Sequence, residues 1–578
     1  RRTHATHAMM TWSPSARRRR CARLSDDVRA EQRSHRHRHA LIRVSRRRAR
    51  ASVVAVARES PSRVRVRVCR RLNARERRRR RLETRERRRL TTGEARHMTS
   101  RDALAAARDA LDAAAGARAR EYWSTIRAHF TCVDTGQKWT VGANGCSLQT
   151  DGGRKLMQVL KGVKLASGET TDITVDGSAI AKIGKTTDSG LDCTGLLALP
   201  GFVDLHTHLR QPGFEASETV LSGSRSGVAG GYTALFAMAN SDPVADTASV
   251  VEQVMMLGEE AGLLEVRPIG AVTKGLAGGE LSALGLMASS AAKVRVFSDD
   301  GHCVHDPLVM LRALTYVKGL GGVIAQHAQE PRLTEGSQMN AGDLSTELGL
   351  KGWPSVAEES IIARDALLAE QVGARLHICH LTTAGAVDVV RWAKARGIQI
   401  TAEVTPHHLM LTEDLVRGYD PVYKVNPPLR KTEDTLALQE GLIDGTIDVI
   451  GTDHAPHSSE KKDCEWEQAA FGMVGLEHAA SVAQEVLIDS GRSDWQRFTE
   501  VMSSKPAEIG SLIGQGSIYE GSPANLVLVD PSASRTIAAA THSLATNNPF
   551  AGRELKGKVV HTLFRGKFSL KDGKVRNA

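Results

Sequence analysis

The chain has 578 residues, enough for two or three domains, and its 41% hydrophobic content can supply a sizeable core. Its formal charge of +13 is unevenly spread: residues 1–100 hold 33 arginines, no lysine and eight acids, so the remainder is net acidic. The body is therefore not built for nucleic acid or anionic lipid, the eight cysteines form no CxxC pair and fit a reducing compartment, and no run approaches about 18 apolar residues, which excludes a membrane-spanning helix.

Residues 1–97 are expected to be a disordered Arg-rich extension, because runs such as RERRRRR bury too little apolar surface to offset chain entropy. Such a stretch reads as an organelle-targeting segment, plastid or mitochondrial, or as residues ahead of an internal start at Met98 that leaves the protein in the cytoplasm. Residues 98–154 read as a helical or irregular linker, since RDAL recurs seven residues apart and predicts a helix over 101–123. From about Leu156 the texture changes to short alternating segments with Gly turns, VLKGVKLASGETTDITVDGSAIAKIG, and GSPANLVLVDP, GKVVHTLFRGKF and KDGKV repeat it near the C-terminus. The two flanks, 155–199 and 515–578, are expected to assemble one small β domain.

Between the flanks, residues 200–514 hold eight apolar strand candidates: FVDLHTH, YTALFAMAN, LEVRPIGAV, KVRVFSDD, GGVIAQH, ARLHICH, IQITAEV and DVIGTDH. Segments of helical composition such as DPLVMLRALTYVKG separate most of them, and eight strand-then-helix units is the count of an α/β fold of the (β/α)8 TIM-barrel type. Metal-type side chains stand where strands 1, 4, 5, 6 and 8 stop: His206 and His208, Asp300, His327, His380 and Asp453. Strand ends of a closed parallel barrel converge on one face, so these six can share a site. His206 and His208 alternate along one strand and can grip one divalent ion, approached by Asp453; His327 and His380 can hold a second, with Asp300 bridging. Two ions about 4 Å apart would share and acidify a water for attack on a carbonyl, with Asp453 as the general acid/base that moves the proton to the leaving nitrogen.

PGFVDLHTHLRQPG from Pro200, AMANSDPV from Ala237, FSDDG from Phe297, HICHLTT from His377, VTPHHL from Val404, KVNPPLR from Lys424, GTDHAPH from Gly451 and AFG from Ala470 follow one another as in the class I dihydroorotases of the amidohydrolase superfamily. The resemblance covers about residues 155–578. It implies two zinc ions and reversible closure of N-carbamoyl-L-aspartate to L-dihydroorotate in pyrimidine synthesis. Hydantoinases and dihydropyrimidinases resemble this pattern but usually bridge their metals with a carboxylated lysine where this chain has Asp299 and Asp300. The separation of Asp300 from His327 resembles the family's spacing, so the resemblance implies Asp300 as the bridge and leaves Asp299 to face away or hold the turn; His380, not His377, resembles the family's other ligand. Arg210, Asn240 and His457, with His208, resemble the groups that bind the substrate carboxylate, and Asn426 with the Phe471–Gly472 backbone those that hold the ring.

Gln211, Ala239 and Ala470 depart from the family pattern, and none of them is a ligand. Two other readings stay beside this one: a related cyclic amidase (hydantoinase, dihydropyrimidinase or allantoinase), and a non-catalytic partner of aspartate transcarbamoylase, which typically lacks the ligands kept here. A second copy of the chain, as a homodimer, and aspartate transcarbamoylase are the partners the resemblance brings into view, beside the small-molecule substrate.

Overall fold

The computed structural model describes residues 157–577 in full and, before them, six strands. It divides into two compact units, residues 1–154 and 155–578. In the first unit the strands are Ala40–Ser45, Ala51–Ala57, Val64–Arg70, Arg127–Thr131, Lys138–Gly142 and Gly145–Leu148, joined as one antiparallel sheet. Three of them fall where composition led us to expect disorder, and three within the expected helical or irregular linker. Period-two valines in ASVVAVA and VRVRVCR favour extended backbone, a local signal that the count of arginines conceals. The helix expected over 101–123 lies outside the described residues.

The second unit contains eight parallel strands, labelled here β1 (Phe202–Thr207), β2 (Tyr232–Ala237), β3 (Glu265–Pro268), β4 (Val296–Phe297), β5 (Val323–Gln326), β6 (Leu376–Ile378), β7 (Ile400–Val404) and β8 (Val449–Ile450). Each lies in one of the eight segments picked out from the sequence. β1 to β3 pair in order, as do β4 to β8. Parallel bridges join Gly270 to Phe297 and Thr207 to His454, so the pairings close into a ring of eight. A helix follows every strand, from Val220–Ala229 after β1 to Ala479–Gln484 after β8. Asp306 shows how the starts are fixed: its carboxylate accepts from Leu308 and Val309 N–H, and Pro307 opens the helix Pro307–Gly319.

β1 and β2 are buried along their whole length, as strands covered on both faces must be. Val203, Leu205, Ala234, Phe236, Val296, Val323 and Val449 pack with Ala507, Ile509 and Leu512 in one cluster. Phe202, Leu235, Ile324 and Ile378 join helix residues such as Val228, Val254, Leu314 and Ile362 in another. Each such side chain contributes about 2 kcal/mol of burial, and the ring gains the rigidity a multi-strand site needs.

A further sheet takes strands from both ends of this unit. Met157–Leu165, Thr170–Asp176, Ala179–Ile183, Leu191–Asp192 and Leu197–Pro200 come from before the ring, and Leu526–Thr536, Glu554–Phe564, Lys567–Lys571 and Lys574–Val575 from after it. Leu197–Pro200 pairs antiparallel with Leu526–Val529 and runs through Gly201 into β1. Residues 339–353 add a short parallel pair, Met339–Asn340 with Gly352–Trp353, that the sequence reading left out. No helix among the described residues is long and apolar enough to cross a membrane.

Candidate metal centre at the strand ends

The ends of β1, β4, β5, β6 and β8 bring His206, His208, Asp300, His327, His380 and Asp453 into one buried cluster. Asp300 is its centre. Its Oδ2 lies 3.3 Å from Nε2 of both His206 and His208, while its Oδ1 lies 3.4 Å from His327 Nδ1 and 3.3 Å from His380 Nε2. One carboxylate therefore divides its two oxygens between two histidine pairs. Asp453 Oδ1 stands beside the first pair, 3.0 Å from His208 Nε2 and 3.4 Å from His206 Nε2. Burial alone would push the Asp300 carboxyl up; His206, with His208 and His327, holds it well below the ordinary range, so it stays anionic.

The far side of three of the four rings is engaged, which fixes the nitrogen each turns inward. His206 Nδ1 donates to Glu403 Oε1 at 2.5 Å, His208 Nδ1 to Asn240 Oδ1 at 2.9 Å and His327 Nε2 to Gln329 Oε1 at 2.7 Å. His206 Nε2 is buried without a hydrogen-bond partner. An imidazole nitrogen so desolvated and unpaired fits a cation in front of it. The described residues form two ligand sets of this kind around Asp300, one with His206 and His208 and one with His327 and His380.

Backbone geometry shows what the cluster costs. Arg210, His380 and Asp453 adopt positive φ, 57°, 30° and 45°, where side chains are disfavoured by roughly 1 kcal/mol or more each. Such strain persists only where the surroundings impose it. Gly451 has a related role in the GTDH turn: a Cβ there would stand 2.5 Å from Glu403 Oε2, so only glycine lets the glutamate reach its partners.

The residues expected to bind substrate connect to this cluster. Asn240 holds His208, and Asn426 Nδ2 donates to Gln329 Oε1 at 3.3 Å, the oxygen that orients His327. Arg210 donates from Nε to Pro456 O at 3.1 Å and lies 3.5 Å from His457 Nε2, which itself donates to Phe471 O at 2.7 Å. Burial, then the Arg210 charge, push His457 down to about 3, so it is a neutral partner near neutral pH. Gly472 has φ 143°, and a Cβ on it would lie 2.8 Å from His457 Nε2. Asp299 turns away and accepts from Val272 N–H at 2.7 Å and Thr273 N–H at 2.9 Å.

Several participants were not singled out from the sequence. Glu403, fully buried, accepts from His206, from His380 N–H at 3.1 Å and from His377 Nε2 at 3.2 Å. Burial opposes its ionisation, yet His206 and His377 keep it below its ordinary value. Its signal was visible as one acid inside the apolar strand ITAEV. Asp204 in β1 accepts from Thr452 Oγ1 at 2.6 Å and ties β1 to the turn after β8. Of the cysteines near the ligands, Cys303 accepts from Gln326 at 3.6 Å, and the Cys379 thiol is pushed up by burial, which keeps it protonated and a poor ligand.

Solved structures share the fold. L-hydantoinase from Arthrobacter aurescens superposes with a TM-score of 0.66 at 24% identity, covering 73% of this chain and 98% of that one. A D-hydantoinase from Bacillus sp. AR9 gives 0.63 at 22%, covering 72% and 96%. A Dihydro-orotase-like family model matches residues 195–386. Proteins named dihydroorotase are similar in sequence. The one from Leifsonia xyli is 61% identical over 72% of this chain and 97% of its own length, and that from Streptomyces coelicolor is 59% identical over 72% and 99%. The counterpart from Mycobacterium tuberculosis is 51% identical over the same shares. Fold and site define a hydrolase acting on cyclic amides, of the amidohydrolase type. Within that class, the chain belongs to the dihydroorotase family.

Proposed function

We propose that the chain, a dihydroorotase, interconverts N-carbamoyl-L-aspartate and L-dihydroorotate on two zinc ions per subunit, within the (β/α)8 barrel formed by the ring and its helices. The observation that carries this reading is the division of Asp300 between two histidine pairs, with His206 Nε2 buried and unpaired beside it. His206, His208 and Asp453 would hold one ion and His327 and His380 the other, with Asp300 shared. Bound there, the ions would acidify a water and polarise the substrate carbonyl.

Residues of the chain do the rest. Asp453 takes the proton of the attacking water and returns it to the departing ring nitrogen, and in the closing direction the same carboxylate runs the transfer backwards. Arg210 offers two parallel N–H donors to a substrate carboxylate, aided by Asn240 and His457. Asn426 and the Phe471–Gly472 backbone hold the ring against the cluster. A second copy of the chain or aspartate transcarbamoylase as partner rests on the resemblance alone, and the cytoplasm as compartment on the absence of CxxC pairs and the internal start that Met98 offers. A substrate panel tests the reading: L-dihydroorotate should turn over, with hydantoin, dihydrouracil and allantoin at least about a hundredfold slower. Turnover of one of those with L-dihydroorotate inert overturns it in favour of another cyclic amidase.

A further inference from the structure

The loop of residues 458–472 begins after His457 and ends at Phe471 and Gly472, so it spans two of the proposed substrate contacts. Two buried lysines occupy its inner side. Lys462 Nζ donates to the carbonyls of Lys424 at 3.1 Å, Ala470 at 2.9 Å and Gly472 at 3.1 Å. Lys424 Nζ donates to Trp466 O at 2.6 Å and Glu467 O at 3.1 Å, and lies 4.5 Å from the centre of the Phe471 ring. An ammonium has three donors and no acceptor, so three carbonyls fill the capacity of Lys462. Neither partner set includes a carboxylate. Burying two like charges in this way is unfavourable unless the carbonyl dipoles compensate for the lost water.

The consequence falls on one peptide group. A trans planar peptide points its C=O and N–H in opposite directions. With Ala470 O drawn to Lys462, the Phe471 N–H faces away from the lysine, and it has no hydrogen-bond partner among the described residues. The next peptide is fully engaged: Gly472 N–H donates to Lys424 O at 3.0 Å, and Gly472 O accepts from Lys462 and from Asn547 Nδ2 at 3.0 Å. We propose that Lys462 is a positioning residue of the active site, holding the 470–471 peptide so that the Phe471 N–H is presented to a carbonyl oxygen of the cyclic substrate. This rests on the dihydroorotase reading above and adds a residue that reading does not use.

The clasp is also sensitive to pH. Burial, then the Lys424 cation, push Lys462 down to about 7, against the pull of Asp420 and Cys464. His457 faces the same loop and is held neutral. Below that value Lys462 keeps three donors. Above it the neutral amine has two, and its lone pair repels the third carbonyl, so the peptide loosens as pH rises.

Steady-state kinetics of the full chain with L-dihydroorotate, from about pH 6 to about pH 8, test this with Lys462→Met and Lys462→Arg. Wild-type KM should rise severalfold across the interval. Lys462→Met should show KM raised about tenfold at the acid end, no comparable further rise, and kcat within about threefold, the loss expected for a substrate hydrogen bond. Lys462→Arg, cationic throughout, should keep KM low to the alkaline end. An active Lys462→Met enzyme with wild-type KM, or with kcat lowered and KM unchanged, overturns the proposal alone. If that variant does not fold, parallel KM profiles in wild type and Lys462→Arg overturn it. Wild-type protein inert towards L-dihydroorotate overturns the substrate reading first and this inference with it.

Discussion

Glu403→Gln separates the charge behind His206 from the shape of the site. Glu403 accepts three hydrogen bonds, from His206 Nδ1, His377 Nε2 and His380 N–H. Glutamine can keep the two bonds from the strand-end residues through its oxygen, accepting from His206 and His380. Its amide can then donate to His377, whose other nitrogen, 2.9 Å from Thr401 Oγ1, can carry the ring proton instead. Packing and hydrogen-bond count survive, and what is lost is the negative charge that makes His206 a stronger ligand. Partners of this kind are worth about 10–100-fold in metal affinity, and retention of geometry argues for the lower end, about 1.4 kcal/mol. Glu403→Ala, which leaves three buried groups unpaired, should instead destabilise the fold by about 3–5 kcal/mol. Zinc competition against a chelator, with thermal unfolding of the same proteins, separates the cases. A Gln variant with wild-type zinc affinity refutes the argument, as does an Ala variant that unfolds where wild type does.

Three other perturbations follow from the same geometry. Asp453→Asn should keep most of its metal, because the four histidines and Asp300 remain, yet lose at least about a hundredfold in kcat measured at saturating substrate. Arg210→Lys should raise KM for L-dihydroorotate about tenfold or more with metal content unchanged, since a point charge replaces a planar fork, and substrate titrations with metal analysis check both halves. Gly472→Ala adds a methyl 2.8 Å from His457 Nε2 at a φ of 143° and should lower both stability and substrate affinity, read by thermal melts and KM.

The sequence exposed most of the strand pattern because each of the eight ring strands is a short apolar run, and the ligand-type residues could be seen where those runs stop. H-x-H spacing put His206 and His208 on one side of β1, and both do face Asp300 Oδ2. The choice between Asp299 and Asp300 was harder, since both are acids at one strand end; in the structure the backbone N–H groups of Val272 and Thr273 occupy Asp299. Glu403 and Asp204 were legible as acids inside apolar strands, but their purpose depends on residues about 200 and 250 positions away, which no local pattern encodes. Lys424 and Lys462 were hidden for another reason. Their partners are backbone carbonyls, which every residue possesses, so nothing in the residue types announced the clasp. The strands at 40–70 carry a local period of two that composition averaged over a long window conceals.

The most direct test of the two-metal dihydroorotase account is a paired measurement on one preparation: turnover of L-dihydroorotate, followed at its ultraviolet absorbance, and total divalent metal per chain. The account requires turnover with about two zinc equivalents, both lost on chelation and restored together by zinc. Full turnover with one metal or none would contradict it.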